Sequence, residues 1–314
     1  MPVTHDDVRN AYRFILGREP ESDEVVEHHQ READSIEGLR ATFLFSPEFR
    51  ATFPELPHLV PLVAPTQAIE TTADPAALRA MIAKMGVVWK TNGEIEPHYS
   101  VLSLDEYRPD RFAENESRFF ESGKDDLDLL LAVLRRIGRP VESFNRCLEF
   151  GCGVGRVTAY LAATFSEVVA LDISCPHLQL AKAYLKKLRR HNVTFLQVTA
   201  ENLHPASGYD LWFSRLVLQH NPPPVTLAIL DGMFAELASQ GVALVHVPTY
   251  HKGYSFSISD YLADRLPPEH MHMHATPQKP ILELAWRHGC RPVDIREEVI
   301  PDRVINIFVF LKVE

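Results

Sequence analysis

From about residue 125 onward, short apolar runs alternate with stretches of helical period. The apolar runs are Arg146–Phe150, Glu167–Asp172, Asn192–Val198, Tyr209–Ser214, Gly241–Pro248, Val293–Ile300 and Arg303–Val313. Between the first five lie amphipathic segments near 154–164, 175–190 and 223–239. Continuous apolar strands separated by helices predict a mostly parallel sheet covered on both faces. The last two runs are joined by Pro301-Asp302, too short for a crossover helix, which predicts an antiparallel hairpin.

Upstream, residues 4 to about 53 read as a compact helical set. Thr4 with Asp7 three residues later has the form of a capping box, and Val8, Tyr12 and Ile15 make one apolar stripe that Gly17 ends before Pro20. Ser22 and Ser35 are candidate caps for two more helices, with Ile36, Leu39 and Phe43 on a face of the second. Ser46-Pro47 opens a last turn carrying Phe49 and Phe53. The expected domains are therefore 1–55, a small all-helical unit; 56–124, a linker and lid segment; and 125–314, an α/β domain with an insertion at about 249–275. Pro54, Pro57, Pro61, Pro65 and Pro75 give the linker a stiff, extended character. Pro75 to Met85 reads as a helix, Gly86 to Arg118 as irregular and aromatic-rich, and Asp125 as the cap of a helix whose apolar face holds Leu127, Leu130, Leu131, Leu134 and Ile137.

Composition narrows the class. The chain has 314 residues with 46% hydrophobic content, enough for two domains and a large core. Its formal net charge is −10, which argues against nucleic acid as a partner, since phosphate contacts need concentrated Lys and Arg. Lys182 to Arg190, the one basic cluster, reads as a solvated helix face. Cys147, Cys152, Cys175 and Cys290 show no C-x-x-C spacing and read as reduced thiols of a cytoplasmic protein. No signal peptide is expected from residues 1–7 and no membrane span from any apolar run.

The chemistry concentrates in Arg146-Cys147-Leu148-Glu149-Phe150-Gly151-Cys152-Gly153-Val154-Gly155-Arg156-Val157. Glycines permit a tight turn on which a ligand can lie against bare backbone, and the following helix offers unpaired N–H groups. The spacing is G-x-G-x-G and not the G-x-G-x-x-G tuned to a pyrophosphate, which counts against a dinucleotide oxidoreductase. Glu149 lies two residues before the first glycine, and Asp172 ends the next strand, 172 − 151 = 21 residues after Gly151. A carboxylate there is placed for ribose hydroxyls. An acid before the glycines suits a cationic ligand, an ammonium or a sulfonium, better than a phosphate.

Leu148 to Arg156, followed by Ala170-Leu171-Asp172-Ile173-Ser174 and Phe213-Ser214-Arg215-Leu216-Val217-Leu218-Gln219-His220, resembles the S-adenosylmethionine site of class I methyltransferases. The likeness covers roughly 85–314 in element order and is strongest between 147 and 220. It implies a Rossmann-like seven-stranded mostly parallel sheet with the C-terminal antiparallel hairpin. It also implies S-adenosyl-L-methionine as cofactor, held by Glu149, Gly151, Cys152, Gly153, Gly155, Arg156, Asp172, Ile173, Thr199, Ala200, Glu201 and Ser214. The glycine loop would carry the methionine part, Asp172 the ribose hydroxyls, and Ile173, Ala200 and Glu201 the adenine. The sequence departs from the family where an acid is usual and Thr199 stands; either Thr199 or Glu201 takes that role. Trp89, Pro97 to Leu102 and Phe120 to Gly123 resemble the segment that folds over the cofactor, while the alternative is aromatic core under a loop.

The resemblance also implies methyl transfer, to an oxygen before a nitrogen, with a small-molecule or saccharide-like acceptor. A hydroxyl acceptor needs a base as the bond forms. His220, after the fourth strand, is the first candidate; His246 reads as a core histidine. The insertion carries Glu269-His270-Met271-His272-Met273-His274. Three alternate histidines could ligate a metal, but the interleaved methionines favour an acceptor-pocket wall with His272 or His274 as base or donor, and no metal is assigned. Ala11 to Pro20 and Phe45 to Arg50 are similar to a short bacterial helical domain of unknown function found in glycan-related proteins. That similarity implies interaction or self-association through residues 4–53, with Arg18 and Glu19 holding a turn. A non-catalytic scaffold retaining the fold is the competing reading.

Overall fold

The computed structural model describes residues 3–52, 67–267, 269–300 and 303–313, without the side chains of Arg50, Val299 and Ile300. The middle of the proline-rich linker, Phe53 and the Pro301-Asp302 turn lie outside the described residues. The chain divides into two compact units, 1–59 and 60–314.

The first unit holds α1 (His5–Ala11), α2 (Asp23–Glu32), α3 (Ile36–Leu44) and α4 (Pro47–Thr52). The Thr4/Asp7 box forms reciprocally, with Asp7 N donating to Thr4 Oγ1 at 3.2 Å and Thr4 N to Asp7 Oδ2 at 2.9 Å. After α1 the chain widens into one π turn, Tyr12–Leu16, which Gly17 closes in the left-handed region at φ 71°. Ser22 and Ser35 cap α2 and α3. Val8, Tyr12, Leu16, Val26, Leu39 and Phe43 form the core. Arg18 and Glu19 do hold the turn, but each through another partner. Glu19 pairs with Arg13 at 2.6 Å, and Arg18 forks onto Glu48 and reaches Glu21 at 2.8 Å.

The second unit is a seven-stranded sheet made of β1 (Arg146–Phe150), β2 (Glu167–Asp172), β3 (Val193–Gln197), β4 (Tyr209–Ser214), β5 (Leu237–His251), β6 (Cys290–Ile300) and β7 (Arg303–Lys312). The strand order is β3-β2-β1-β4-β5-β7-β6. The first five strands pair parallel, while β7 enters antiparallel between β5 and β6. The helices are α5 (Pro75–Ile95), α6 (Phe112–Glu121), α7 (Gly123–Arg136), α8 (Thr158–Thr164), α9 (Cys175–Lys187), α10 (Pro223–Glu236), α11 (Ile258–Ala263) and α12 (Gln278–Arg287). Leu148, Phe150, Val169 and Leu171 face a core completed by α5, α10 and α12, while Cys147, Val168, Leu211 and Phe213 face one completed by α7 and α8. Both faces are dry, which is why these strands carry no polar alternation.

Several boundaries differ from the sequence expectation; β5, for one, runs from Leu237 to His251 and not from Gly241 to Pro248. Three of the differences have a tertiary reason. The helix read as Pro75 to Met85 continues ten residues further, through Gly86 and Gly93 to Ile95. A Cβ at Gly93 would stand 2.7 Å from Ser174 Oγ and 3.1 Å from Pro176 Cβ, so the glycine lets α5 lie directly on the start of α9. The segment from Gly86 to Arg118, expected to be irregular, is therefore largely helical, with α6 beginning inside it. The helix expected to start at Asp125 starts at Gly123, and Asp125 sits in its first turn. Gly123 is needed there because any Cβ would land 2.3 Å from the Arg156 carbonyl oxygen. Finally, the helix after the glycine turn begins only at Thr158, because Gly151 to Val157 is spent on the loop.

Candidate active site

The carboxyl ends of β1, β2 and β4 open on one crevice, the position where open parallel sheets take ligands. It encloses about 1010 Å³ of atom-free space, its mouth included. The loop at the end of β1 is held open by glycine. Gly151, Gly153 and Gly155 have φ of 80°, 52° and 86°, values that L side chains adopt only with strain. The N–H groups of Gly151 and Cys152 both donate to Leu171 O, at 2.8 and 2.9 Å, which pins the loop to the end of β2.

Glu149 and Asp172 line this crevice together. Glu149 is buried, and its Oε2 accepts from Thr158 Oγ1 at 2.6 Å. Burial lifts its carboxyl from 4.5 to about 7, against the opposing pull of the Thr158 hydrogen bond and the Arg156 charge. Asp172 ties two backbone segments. Its Oδ2 accepts from Gly153 N and its Oδ1 from Ser174 N, both at 2.8 Å. Each oxygen keeps a second lone pair for another donor.

The sequence reading did not include a buried charge cluster at the crevice wall. Asp126, on α7, pairs with Arg156 and with Arg215, and Arg156 Nη1 also reaches Ser122 Oγ at 3.2 Å. The two guanidiniums share one carboxylate, and the Nε of each is buried with no hydrogen-bond partner. The available signal was an acid, Asp126, beside the apolar stripe of its helix. The next residue after Arg215, Leu216, takes a left-handed φ of 62°, an uncommon conformation for a branched side chain. Its N–H is held by His246 Nδ1 at 3.4 Å, so His246 is a core residue that shapes the loop.

His220 lies at the rim on the turn after β4. Its Nδ1 donates to His272 O at 2.9 Å, and Gln219 Nε2 donates to its Nε2 at 3.1 Å. Desolvation lowers its pKa to about 4, so it is neutral at pH 7. A second bond, His274 N to Gln219 O at 2.7 Å, completes a clasp between this turn and the histidine run.

Of the residues expected to meet the cofactor, Glu149, Gly151, Cys152, Gly153, Arg156, Asp172 and Ile173 line the crevice, as does His220. Six do not line it. Gly155 packs against α9, where a Cβ would be 2.9 Å from Leu185 and 3.2 Å from Ala181. Ser214 Oγ is spent on Phe150 O at 3.1 Å. Thr199 Oγ1 accepts from Asn202 N at 3.1 Å, which closes the turn where Ala200 lies, and Glu201 is exposed. His272 faces Tyr261, with ring centroids 5.3 Å apart. The lid aromatics divide. Trp89, Ser100 and Val101 line the crevice, whereas Tyr107, Phe119 and Phe120 form a packed cluster with Val154.

Fold and site together describe a nucleoside-type crevice at the topological switch of a parallel sheet, with two acids over a glycine turn. The comparisons with known proteins agree on the class. Residues 147–241 match the family model described as a methyltransferase domain. The chain is 36% identical over 111 residues to trans-aconitate 2-methyltransferase of Methylobacterium radiotolerans, a match covering 35% of this chain and 40% of that one. It is 37% identical over 92 residues to malonyl-[acyl-carrier protein] O-methyltransferase of Salmonella typhimurium, covering 29% and 33%. The chain thus spans about two fifths or less of these relatives' lengths. Among solved structures, N-methyltransferase NodS of Bradyrhizobium japonicum is similar at 16% identity and a TM-score of 0.48, covering 72% of this chain and all of that one. Among the described residues, no helix is long and apolar enough to cross a membrane.

Proposed function

We propose that this protein is a class I S-adenosylmethionine-dependent methyltransferase acting on an oxygen of a small or saccharide-like acceptor. The observation that carries the reading is the convergence of Glu149 and Asp172 on one crevice over an open glycine turn. The lining fits the cofactor part by part. The spare lone pairs of Asp172 suit ribose hydroxyls, and Ile173, Val198 and Leu203 offer an apolar berth for a base. The guanidinium side chains of Arg156 and Arg215 in the crevice wall supply positive charge for an amino-acid carboxylate, and Glu149 suits the ammonium or sulfonium. When bound, S-adenosylmethionine supplies a methyl group on an excellent leaving group. The protein's task is then to place an acceptor oxygen in line and exclude water.

His220 is the residue proposed to face that oxygen. Its neutral imidazole keeps an Nε2 lone pair, now taken by the Gln219 amide, which an acceptor hydroxyl would replace. With its pKa near 4 it is a weak base. It orients the hydroxyl and takes the proton only as the new bond forms. The relatives' names point to carboxylate-bearing acceptors, while the similarity of residues 11–50 to a glycan-associated domain supports a saccharide.

Calorimetry with S-adenosylhomocysteine tests the cofactor reading, followed by transfer of labelled methyl to cell-extract acceptors. Absent binding sinks the proposal, and binding without any transfer favours the scaffold. His220→Ala should lower kcat by about 100-fold. His220 itself should add no pH dependence to wild-type kcat between pH 6 and 8, because it has already lost its charge there.

A further inference from the structure

The insertion builds a second chamber beside the crevice, and we infer that this outer chamber is the docking site for a neutral, polyhydroxylated acceptor. The inference rests on the methyltransferase reading and names the substrate class for it. The chamber encloses about 1370 Å³ of atom-free space, its mouth included. A constricted passage of about 210 Å³ of atom-free space, its mouths included, lies between it and the crevice. The passage shares Met85, Trp89 and His220 with the crevice, and Tyr261 and His272 with the chamber. His220 thus stands between the chamber and the proposed transfer point, and an acceptor seated in the chamber would reach that point by displacing the Met85, Trp89 or Met271 side chains that narrow the passage.

The chamber's chemistry selects its occupant. Tyr254, Phe256 and Tyr261 supply aromatic surface, against which the C–H face of a sugar ring packs. Glu70, Asp260 and Asp264 supply acceptors for hydroxyl protons. Glu70 uses one oxygen on Ile258 N at 2.6 Å, and Asp264 uses one on Leu266 N at 3.0 Å; each keeps capacity, and Asp260 has no side-chain partner among the described residues. Donors come from Ser255, Ser257 and the imidazoles. His274 is 6% exposed, its Nδ1 bonds Tyr254 Oη at 2.9 Å, and its Nε2 has no partner. Among the described residues no lysine or arginine lines the chamber, and burial keeps His274 neutral with its pKa near 3. A di- or tricarboxylate would meet three carboxylates in the lining. Lys84 sets the wall from behind: its Nζ donates to the Tyr261 and Asp264 carbonyls and lies 4.7 Å over the Tyr261 ring.

Saturation-transfer NMR on the full chain tests this, with methyl α-D-glucopyranoside and L-rhamnose as probes and trans-aconitate and ethanolamine as contrasts, each with and without S-adenosylhomocysteine. The sugars should give signal, and their affinity should fall about tenfold in Asp264→Asn and in Asp260→Asn, an exposed position where folding is not at risk. S-adenosylhomocysteine affinity should stay within about twofold in both variants. Sugar signal that is absent or unchanged in both variants would overturn the proposal. So would preferential binding of trans-aconitate or of the ammonium. Sugar binding that depends on Asp260 in a protein that ignores S-adenosylhomocysteine would uphold the chamber and sink the cofactor reading.

Discussion

Replacing Asp172 by Asn probes the residue on which the crevice depends. The carboxylate holds Gly153 N and Ser174 N, one on each oxygen, both at 2.8 Å. Asn has a single acceptor oxygen, so one of these buried amides loses its partner and faces an NH₂ group instead. A hydrogen bond to a charged group contributes about 1.5–3 kcal/mol, and an orphaned donor costs a similar amount. We expect a loss of about 2 kcal/mol in apo stability. For a unit of this size that is a fall of roughly 4–8 °C in Tm. The same carboxylate is proposed to receive the ribose hydroxyls, so S-adenosylhomocysteine affinity should fall by about 30-fold or more, from the 1.4 kcal/mol that each tenfold represents. Scanning calorimetry and isothermal titration read the two effects on one sample. An unchanged Tm would show that Asp172 does not organise the loop. An unchanged Kd with a lowered Tm would show that it organises the loop but meets no ligand.

Three further outcomes follow from the same geometry. Glu149 has its pKa raised by burial from 4.5 to about 7, so its neutral form favours the fold; that contribution is full below pH 4.5 and is lost as pH rises through about 7. Glu149→Gln removes the titration, so the apo variant should gain about 3 kcal/mol on wild type between pH 4 and pH 8; denaturant midpoints that move in parallel would refute this. Gly155→Ala combines a left-handed backbone with a Cβ 2.9 Å from Leu185, and should destabilise by about 2–4 kcal/mol in urea melts. Asp126→Ala strands two buried guanidiniums and should cost about 3–5 kcal/mol, largely restored in Asp126→Glu if the charge and not the packing is what matters.

The alternation of apolar runs and helical stretches determined the sheet. Strands buried on both faces must be apolar throughout, as β1, β2 and β4 are, and such runs alternating with helices, with one short connection at the end, leave little choice but parallel pairing and a terminal hairpin. The glycine turn and the acids at 149 and 172 were also legible, because a bare backbone bend leaves a local signature. What the sequence could not carry was contact between distant segments. Gly93 looks like a helix stop until α5 is laid on α9, where the missing Cβ is what allows the close approach. Asp126, Arg156 and Arg215 come from three elements and meet only in the fold. Thr199, Ser214 and His272 are the right residue types at the right strand ends, yet their polar groups or rings are engaged elsewhere. Local pattern decides which elements form, since periodicity and backbone freedom are properties of neighbours in sequence. Which side chains share a cavity is decided by packing, which joins residues that no local pattern connects.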